Sequence, residues 1–272
     1  CFGLGPGFLR TIDDDLTTTS TAIYGNLSWA LTDRLNLGLG IRYSEEEKEY
    51  DRTTSTFYAT NAFFNATFAF SRSETWDNTT PMVSLDYELS DNVLLYARFA
   101  EGFKSGGFNG RANGDGEDAP YAPESVSSFE IGAKTDWLDG RLVANVSAFY
   151  NDYTDFQARV SGTVIDPDTL LPSPELTVIN AGQLEIAGAE LELRYRATDA
   201  LTLDAQIGYL DASYGEFDDV RFPGGTREFQ TPALSPEWTA RFGGLYSIHL
   251  GSHGELDLAA SARFRSRMAL AI

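Results

Sequence analysis

Leu35-Asn36-Leu37-Gly38-Leu39-Gly40-Ile41-Arg42-Tyr43-Ser44 decides the fold. Leu35, Leu37, Leu39, Ile41 and Tyr43 fall on one parity, and Asn36, Gly38, Gly40, Arg42 and Ser44 on the other. A period of 2 marks a β-strand whose two faces meet different surroundings. The same alternation recurs along the chain. At 124–137, Phe129, Ile131, Ala133 and Trp137 oppose Glu130, Gly132, Lys134 and Asp136. At 187–195, Ala187, Ala189, Leu191, Leu193 and Tyr195 oppose Gly188, Glu190, Glu192 and Arg194. Segments 201–209, 242–250 and 255–265 repeat it, and weaker versions lie at 20–31, 82–89, 93–103 and 141–157. The pattern predicts about ten strands joined as up-and-down hairpins.

The connections sort by length. Short turns stand at Leu31-Thr32-Asp33-Arg34, Ser90-Asp91-Asn92, Leu138-Asp139-Gly140, Thr198-Asp199-Ala200 and Gly251-Ser252-His253-Gly254. Between them run long polar stretches near 48–74, 104–123, 160–177 and 215–235. Short turns at one end and long loops at the other are the habit of outer-membrane barrels. The charges agree. Arg42, Lys134, Arg194, Arg241 and Arg263 all lie on the polar parity, and a cation facing lipid at mid-bilayer costs about 2–4 kcal/mol. Val143, Phe149 and Leu245 break the pattern, and 93–100 is apolar on both parities. Trp29, Tyr87, Trp137 and Tyr195 lie near short turns, while Tyr43, Phe99, Tyr150, Tyr209 and Trp238 lie towards the opposite strand ends. Two aromatic girdles on one face are what membrane interfaces select. The fold class expected is all-β, an antiparallel up-and-down transmembrane β-barrel.

Composition narrows the function. The 272 residues carry 40 Asp+Glu against 20 Lys+Arg, a net charge of −20, which lacks the basic footprint of a nucleic-acid binder. Aromatic residues make up 13 %, too many for an acidic disordered chain. No apolar run approaches the ~18 residues of a transmembrane helix, a test that β-strands escape. The one cysteine, Cys1, allows no internal disulfide or thiolate metal cluster. A lipid anchor on Cys1 is one reading of it; a fragment boundary is the favoured one. With neither an initiating Met nor a signal peptide at the start, an exported protein is expected to have more sequence upstream.

Three phrases carry a family resemblance. Residues 94–111, with GFKSGGFN at 102–109, resemble the barrel of TonB-dependent outer-membrane receptors. FEIGAKTDWLDGRLVANVSAFYNDYTDFQ at 129–157 is similar to a strand pair of that family, and Asn180-Ala181-Gly182 followed by Gly188-Ala189-Glu190-Leu191-Glu192 is a third match. The resemblance implies location in the outer membrane of a Gram-negative bacterium and contact with its lipid. It implies engagement of the TonB complex through a plug region, and uptake of a scarce solute. An iron–siderophore complex is the first expectation, with haem, cobalamin or an oligosaccharide as alternatives. Family barrels have about twenty-two strands. Residues 1–272 are therefore read as part of one barrel domain, with the plug and the remaining strands absent.

Catalytic chemistry finds little support. His249 and His253 both flank a short turn, and no metalloprotease, phosphate-loop or nucleophile-elbow pattern appears. No catalytic residue, cofactor or resident metal is expected. Gly3-Leu4-Gly5-Pro6-Gly7 follows no strand and reads as a flexible loop. Asp13-Asp14-Asp15, Asp115-Gly116-Glu117-Asp118, Asp166-Pro167-Asp168 and Asp218-Asp219 offer oxygen ligands for Ca²⁺, but solvated loop acids are the simpler reading. Glu45-Glu46-Glu47-Lys48-Glu49 reads as a solvated strand end. Ligand contacts are expected from Arg42, Arg98, Lys104 and Arg111, cations suited to an anionic iron chelate though equally able to pair with lumen acids such as Glu130 or Glu190, and from Tyr121 in the same outer loop as Arg111. The glycines of that loop, from Gly106 to Gly116, would allow it to close, and are equally compatible with idle flexibility. Two rivals remain. A small outer-membrane barrel enzyme of protease or lipase type needs acids and a His, or Ser and His, at the outer mouth. A soluble β-sandwich for adhesion would lack the paired girdles.

Overall fold

The computed structural model describes residues 8–58, 65–112, 117–165, 172–219, 221–222 and 224–270. The Gly3–Gly7 motif, Cys1, Asp115, Gly116 and the Asp166-Pro167-Asp168 run lie outside them. The described strands are β1 (Phe8–Thr32), β2 (Leu35–Tyr58), β3 (Ala66–Ser90), β4 (Val93–Lys104), β5 (Glu124–Trp137) and β6 (Leu142–Thr154). They continue with β7 (Gln157–Ile165), β8 (Pro172–Asn180), β9 (Gln183–Arg196), β10 (Leu201–Tyr214), β11 (Trp238–His249) and β12 (Glu255–Arg265). Ten of them form one sheet in the order β1-β2-β3-β4-β5-β6-β9-β10-β11-β12. Every neighbouring pair is antiparallel. β7 and β8 pair separately as a hairpin between β6 and β9.

Register carries the alternation across the whole sheet. Trp29, Leu37, Leu85, Ala97, Ile131, Ala148, Ala189, Tyr209 and Trp238 are successive cross-strand partners, an unbroken apolar row. Much of this face is open, with Ile131 63 % and Ile41 58 % exposed. An apolar surface of this extent needs a non-aqueous neighbour. Both girdles are in place on it: Trp29, Tyr87, Trp137 and Tyr195 at the short-turn end, and Tyr43, Tyr150 and Trp238 at the other, all exposed. Phe99 stacks on Phe129 at 4.8 Å and Tyr209 on Trp238 at 4.9 Å. From Leu35 to Tyr43 the strand rises on the order of 27 Å at ~3.4 Å per residue. At a strand tilt near 40° this stretch spans ~21 Å, most of the roughly 25 Å apolar band of outer-membrane barrels.

Of the apolar residues on the polar parity, Phe149 and Tyr96 have local causes. Phe149 partners Gly188 across β6 and β9. A Cβ on Gly188 would sit 2.5 Å from the Phe149 ring and 2.7 Å from the Tyr209 carbonyl oxygen, so the ring fills the place of the missing side chain. Tyr96 lies over Gly132 in the same way, and its hydroxyl donates to Glu130 at 2.6 Å. This accounts for Tyr96 within 93–100, the stretch that looks apolar on both parities. Leu245 remains an exposed exception.

The connections divide as expected. Short turns join β1 to β2, β3 to β4, β5 to β6, β9 to β10 and β11 to β12, and the long connections all lie at the other end. Leu138, Asp139 and Gly140 take positive φ of 56°, 55° and 78° to make the third turn. Two expectations need correction. Most of 48–74 is not loop: β2 runs on to Tyr58 and β3 starts at Ala66, so β1, β2 and β3 are 25, 24 and 25 residues long. Thr, Ser and charged side chains supply both faces there, so period 2 disappears from hydropathy although the ladder continues. Likewise 160–177 is largely the β7–β8 hairpin rather than an open loop.

Candidate ligand recess at the long-connection end

Beyond Tyr43 the parity of β2 still separates two environments. Tyr50, Arg52, Thr54 and Thr56 are buried, while Glu45, Glu47, Glu49 and Asp51 on the opposite face are exposed. The buried face is covered by the segment after β4. Lys48 Nζ donates to Ser105 Oγ and to the Gly106 carbonyl, both at 2.8 Å, pairs with Glu46 at 3.0 Å, and lies 5.7 Å over the Trp76 ring. Ser105 in turn donates to Glu46. Arg52, with 1 % of its side chain exposed, holds both Asp14 oxygens at 2.6 and 2.8 Å and donates to the Ala112 carbonyl at 2.8 Å. Tyr50 donates to Asp14 at 3.0 Å and packs on Phe70 and Phe108. Gly106 and Gly107 therefore do a different job from the hinge expected, while Gly110 is exposed and Gly114 and Gly116 lie outside the described residues. Gly106 and Gly107 are buried, and a Cβ on either would strike Trp76 or Tyr121, so they permit close packing.

Glu46 titrates below the usual carboxylate range. The Ser105 hydrogen bond lowers its pKa first, burial opposes, and the hydrogen bond and charge of Lys48 lower it further. A depressed carboxylate stabilises the fold above its unfolded pKa of about 4.3 and loses that contribution as pH falls through the lower folded value. The tie between β2 and Ser105 is thus expected to hold at pH 5–7 and to loosen only below about pH 4. Fluorescence of Trp76, kept as the only tryptophan of the parent protein, should change in that acid window and not near neutrality. A change already complete at pH 6 would refute the assignment.

Below this covered zone lies an open recess of about 470 Å³, lined by Ser20, Arg42, Ser44, Glu46, Lys48, Phe103, Lys104, Ser105, Tyr121 and Gln157. Arg42, Lys104 and Tyr121, expected from the sequence as ligand contacts, meet here. Arg42 Nε donates to Ser44 Oγ at 2.9 Å. Lys104, 61 % exposed at its side chain, stands 3.8 Å from Glu124, whose carboxylate also accepts the Gln157 backbone N–H at 2.7 Å. Tyr121 is placed by a backbone bridge to Gly107, with N–H···O distances of 2.8 and 3.2 Å. Burial raises its pKa and Arg159 only partly offsets this, so the phenol stays a neutral donor. The Gln157 amide donates to the carbonyls of Ser105 at 2.9 Å and Ala122 at 3.0 Å, fixing the recess wall.

The other two expected contacts lie elsewhere. Arg98 faces Glu130 across β4 and β5 in a separate hollow of about 350 Å³, on the polar face near Tyr96 and Lys134. Arg111 is exposed beside the covering segment, its backbone N–H bound to Asn109 Oδ1 at 3.1 Å, and does not line the recess. Sequence reasoning missed Lys48, Glu46, Ser105 and Gln157. For the first two the signal was available: they share the parity of Arg42, and the acidic neighbours on the other face masked it.

Among the described residues of the acidic runs, Asp14, Asp118 and Asp219 serve as ion-pair partners of Arg52, Arg72 and Arg227. Asp13-Asp14-Asp15 lies within β1 rather than in a loop, and Asp14 alone turns to Arg52. Asp219 is fully buried, bound by Arg227 Nε at 2.6 Å and by the Arg221 backbone N–H at 3.0 Å. Arg227 also donates to the Ser161 carbonyl at 3.0 Å, tying the β10–β11 connection to β7. Around this clasp Ala158, Val160, Ala181, Leu184, Tyr214 and Phe217 form a small buried core. Among the described residues no group of His, Cys, Asp and Glu is arranged to hold a metal ion. His249 and His253 lie at the short-turn end, away from the recess, where an outer-mouth enzyme has no use for them.

Known proteins agree with this architecture. The chain is 29 % identical over 180 residues to the pesticin receptor of Yersinia pestis, covering 66 % of the chain and 24 % of that receptor. It is 26 % identical over 206 residues to the probable TonB-dependent siderophore receptor PiuA of Acinetobacter baumannii, covering 74 % and 25 %. The chain thus spans about a quarter of the length of these curated relatives. Its fold resembles the ferric yersiniabactin uptake receptor FyuA from Yersinia pestis, with TM-score 0.73 at 21 % identity over 94 % of the chain and 35 % of FyuA. The siderophore receptor PiuA follows, with TM-score 0.69 at 21 % identity over 93 % of the chain and 34 % of PiuA. Residues 3–269 match the model for the TonB-dependent receptor β-barrel, and the chain belongs to that family.

Proposed function

We propose that this chain is part of the barrel of an outer-membrane receptor that imports an iron–siderophore complex with energy from TonB. Membership of the receptor family over residues 3–269 is the observation that carries the reading. The relatives named pesticin receptor and siderophore receptor support the class of cargo. The girdled apolar face suits the lipid of a Gram-negative outer membrane. Among the described residues β1 and β12 are each paired on one side only. Lipid tolerates no such edge, which supports a larger barrel of about twenty-two strands around a plug that engages TonB. In this reading the recess at the long-connection end is where the solute is first held, with Arg42, Lys104 and Tyr121 as its contacts and Arg98 and Arg111 outside it. The chemistry is capture and gated passage; no bond is broken.

The test is radioactive iron uptake by iron-starved cells whose only ferric-chelate receptor is the full-length parent. Uptake of at least one ferric chelate should saturate, and deletion of TonB should abolish it. Uptake indifferent to TonB for every chelate offered would refute the import reading.

A further inference from the structure

The groups lining the recess divide into spent and unspent. Lys48 is spent on Glu46, Ser105 and the Gly106 carbonyl. Glu46 is spent in return, accepting from Lys48 and Ser105. The Gln157 amide is spent on two carbonyls. One cation is left over and a second is loosely held. Of the five N–H donors of a guanidinium, Arg42 commits Nε to Ser44, and it has no carboxylate partner among the described residues. Lys104 has only the 3.8 Å approach to Glu124, an acid already bound to the Gln157 N–H. Tyr121 adds a neutral hydroxyl. No carboxylate in the lining is left without a cation.

We infer that this recess selects a ferric chelate that still presents free carboxylates, an assignment that rests on the uptake reading above. A cavity of about 470 Å³ is in the range of small-molecule sites. Arg42, with no carboxylate partner among the described residues, and Lys104, held at 3.8 Å from Glu124, are both satisfied by acceptors carrying localised negative charge, and a guanidinium fork matches a carboxylate in geometry as well as charge. An uncharged chelate would displace water from Arg42 and Lys104 and return no countercharge. A chelate whose anionic oxygens are all bound to iron offers only diffuse charge. The net charge of −20 makes the approach of any anion unfavourable at a distance, so selection falls to these local cations.

The experiment offers the intact parent receptor, as the sole ferric receptor in iron-starved cells, three probes: ferric citrate, an uncharged ferric tris-hydroxamate and a ferric tris-catecholate. Ferric citrate should be the one taken up, and iron-free tricarballylate should compete with it. Arg42→Gln and Lys104→Gln should each raise the half-saturating concentration about tenfold, the size of one lost charge-assisted contact. Arg42→Lys should recover part of the loss. Arg34→Gln, at the short-turn end, should change nothing at equal surface abundance. The inference is overturned if uptake is confined to the hydroxamate or catecholate, if tricarballylate does not compete in the wild type, or if both glutamine variants saturate like it. Citrate uptake that survives TonB deletion but still responds to these variants would uphold carboxylate selection while refuting TonB-energised import.

Discussion

Asp219→Ala is expected to open the outer cap while leaving the barrel wall intact. The carboxylate is fully buried and is the charge partner of Arg227, whose side chain is 5 % exposed. Removing one member of a buried pair strands the other without countercharge, at a cost of about 3–5 kcal/mol. The loss falls locally because Arg227 also carries the tie to Ser161, and Phe222 stacks under its guanidinium at 4.6 Å. Limited proteolysis of the parent receptor in outer membranes should show new cleavage within 215–230 and in the β7–β8 hairpin, with heat-modifiability of the barrel unchanged. Asp218→Ala is the control: that residue is exposed, and its bridge to Thr226 uses backbone alone. Equal protease resistance in the two variants would show that the clasp does not hold the cap.

Ile131→Arg should impair insertion of the barrel itself. Ile131 lies inside the apolar row between the girdles and is 63 % exposed. An arginine near mid-bilayer on the lipid face costs about 2–4 kcal/mol. On the opposite face Asn145 sits between Lys134 and Glu192, so Asn145→Arg should be tolerated, its charge offset by Glu192. Folded, heat-modifiable receptor recovered from outer membranes is the measurement. Accumulation of Asn145→Arg below Ile131→Arg would mean that the faces are exchanged, since a shift of one residue inverts every side chain.

The parity of residues 35–44 was enough to read the wall, because a surface that meets lipid on one side and polar groups on the other writes its period into hydropathy. The reach of β1–β3 was not legible by that means. Residues 11–21 are exposed on both faces, and at 48–58 one face is exposed while the other lies under the polar segment after β4, so hydropathy does not alternate there. The runs Thr17-Thr18-Thr19 and Thr53-Thr54 were the remaining sign, since β-branched residues favour strands. The recess was half legible. Arg42 and Lys104 stand at strand positions whose parity and height could be counted. Gln157 could not be found, because it works through the carbonyls of Ser105 and Ala122, 52 and 35 residues away in sequence. Gly106 and Gly107 were misread for the same reason: what a glycine permits depends on the neighbour that closes on it.

The ties that hold the cap have a consequence for how such a surface can change over generations. Lys48 reaches the carbonyl of Gly106, Arg52 that of Ala112, Asn180 those of Ala122 and Asp155, and Arg227 that of Ser161. A carbonyl is present whatever side chain its residue carries, so substitution at most receiving positions leaves the anchor in place. The donors are constrained, as are the buried receivers Gly106 and Ala112, but the exposed receivers Ala122 and Ser161 are free. At Ala122 and Ser161, both exposed, the side chain can therefore change while the tie to the backbone beneath it, and with it the shape of the recess wall, stays in place.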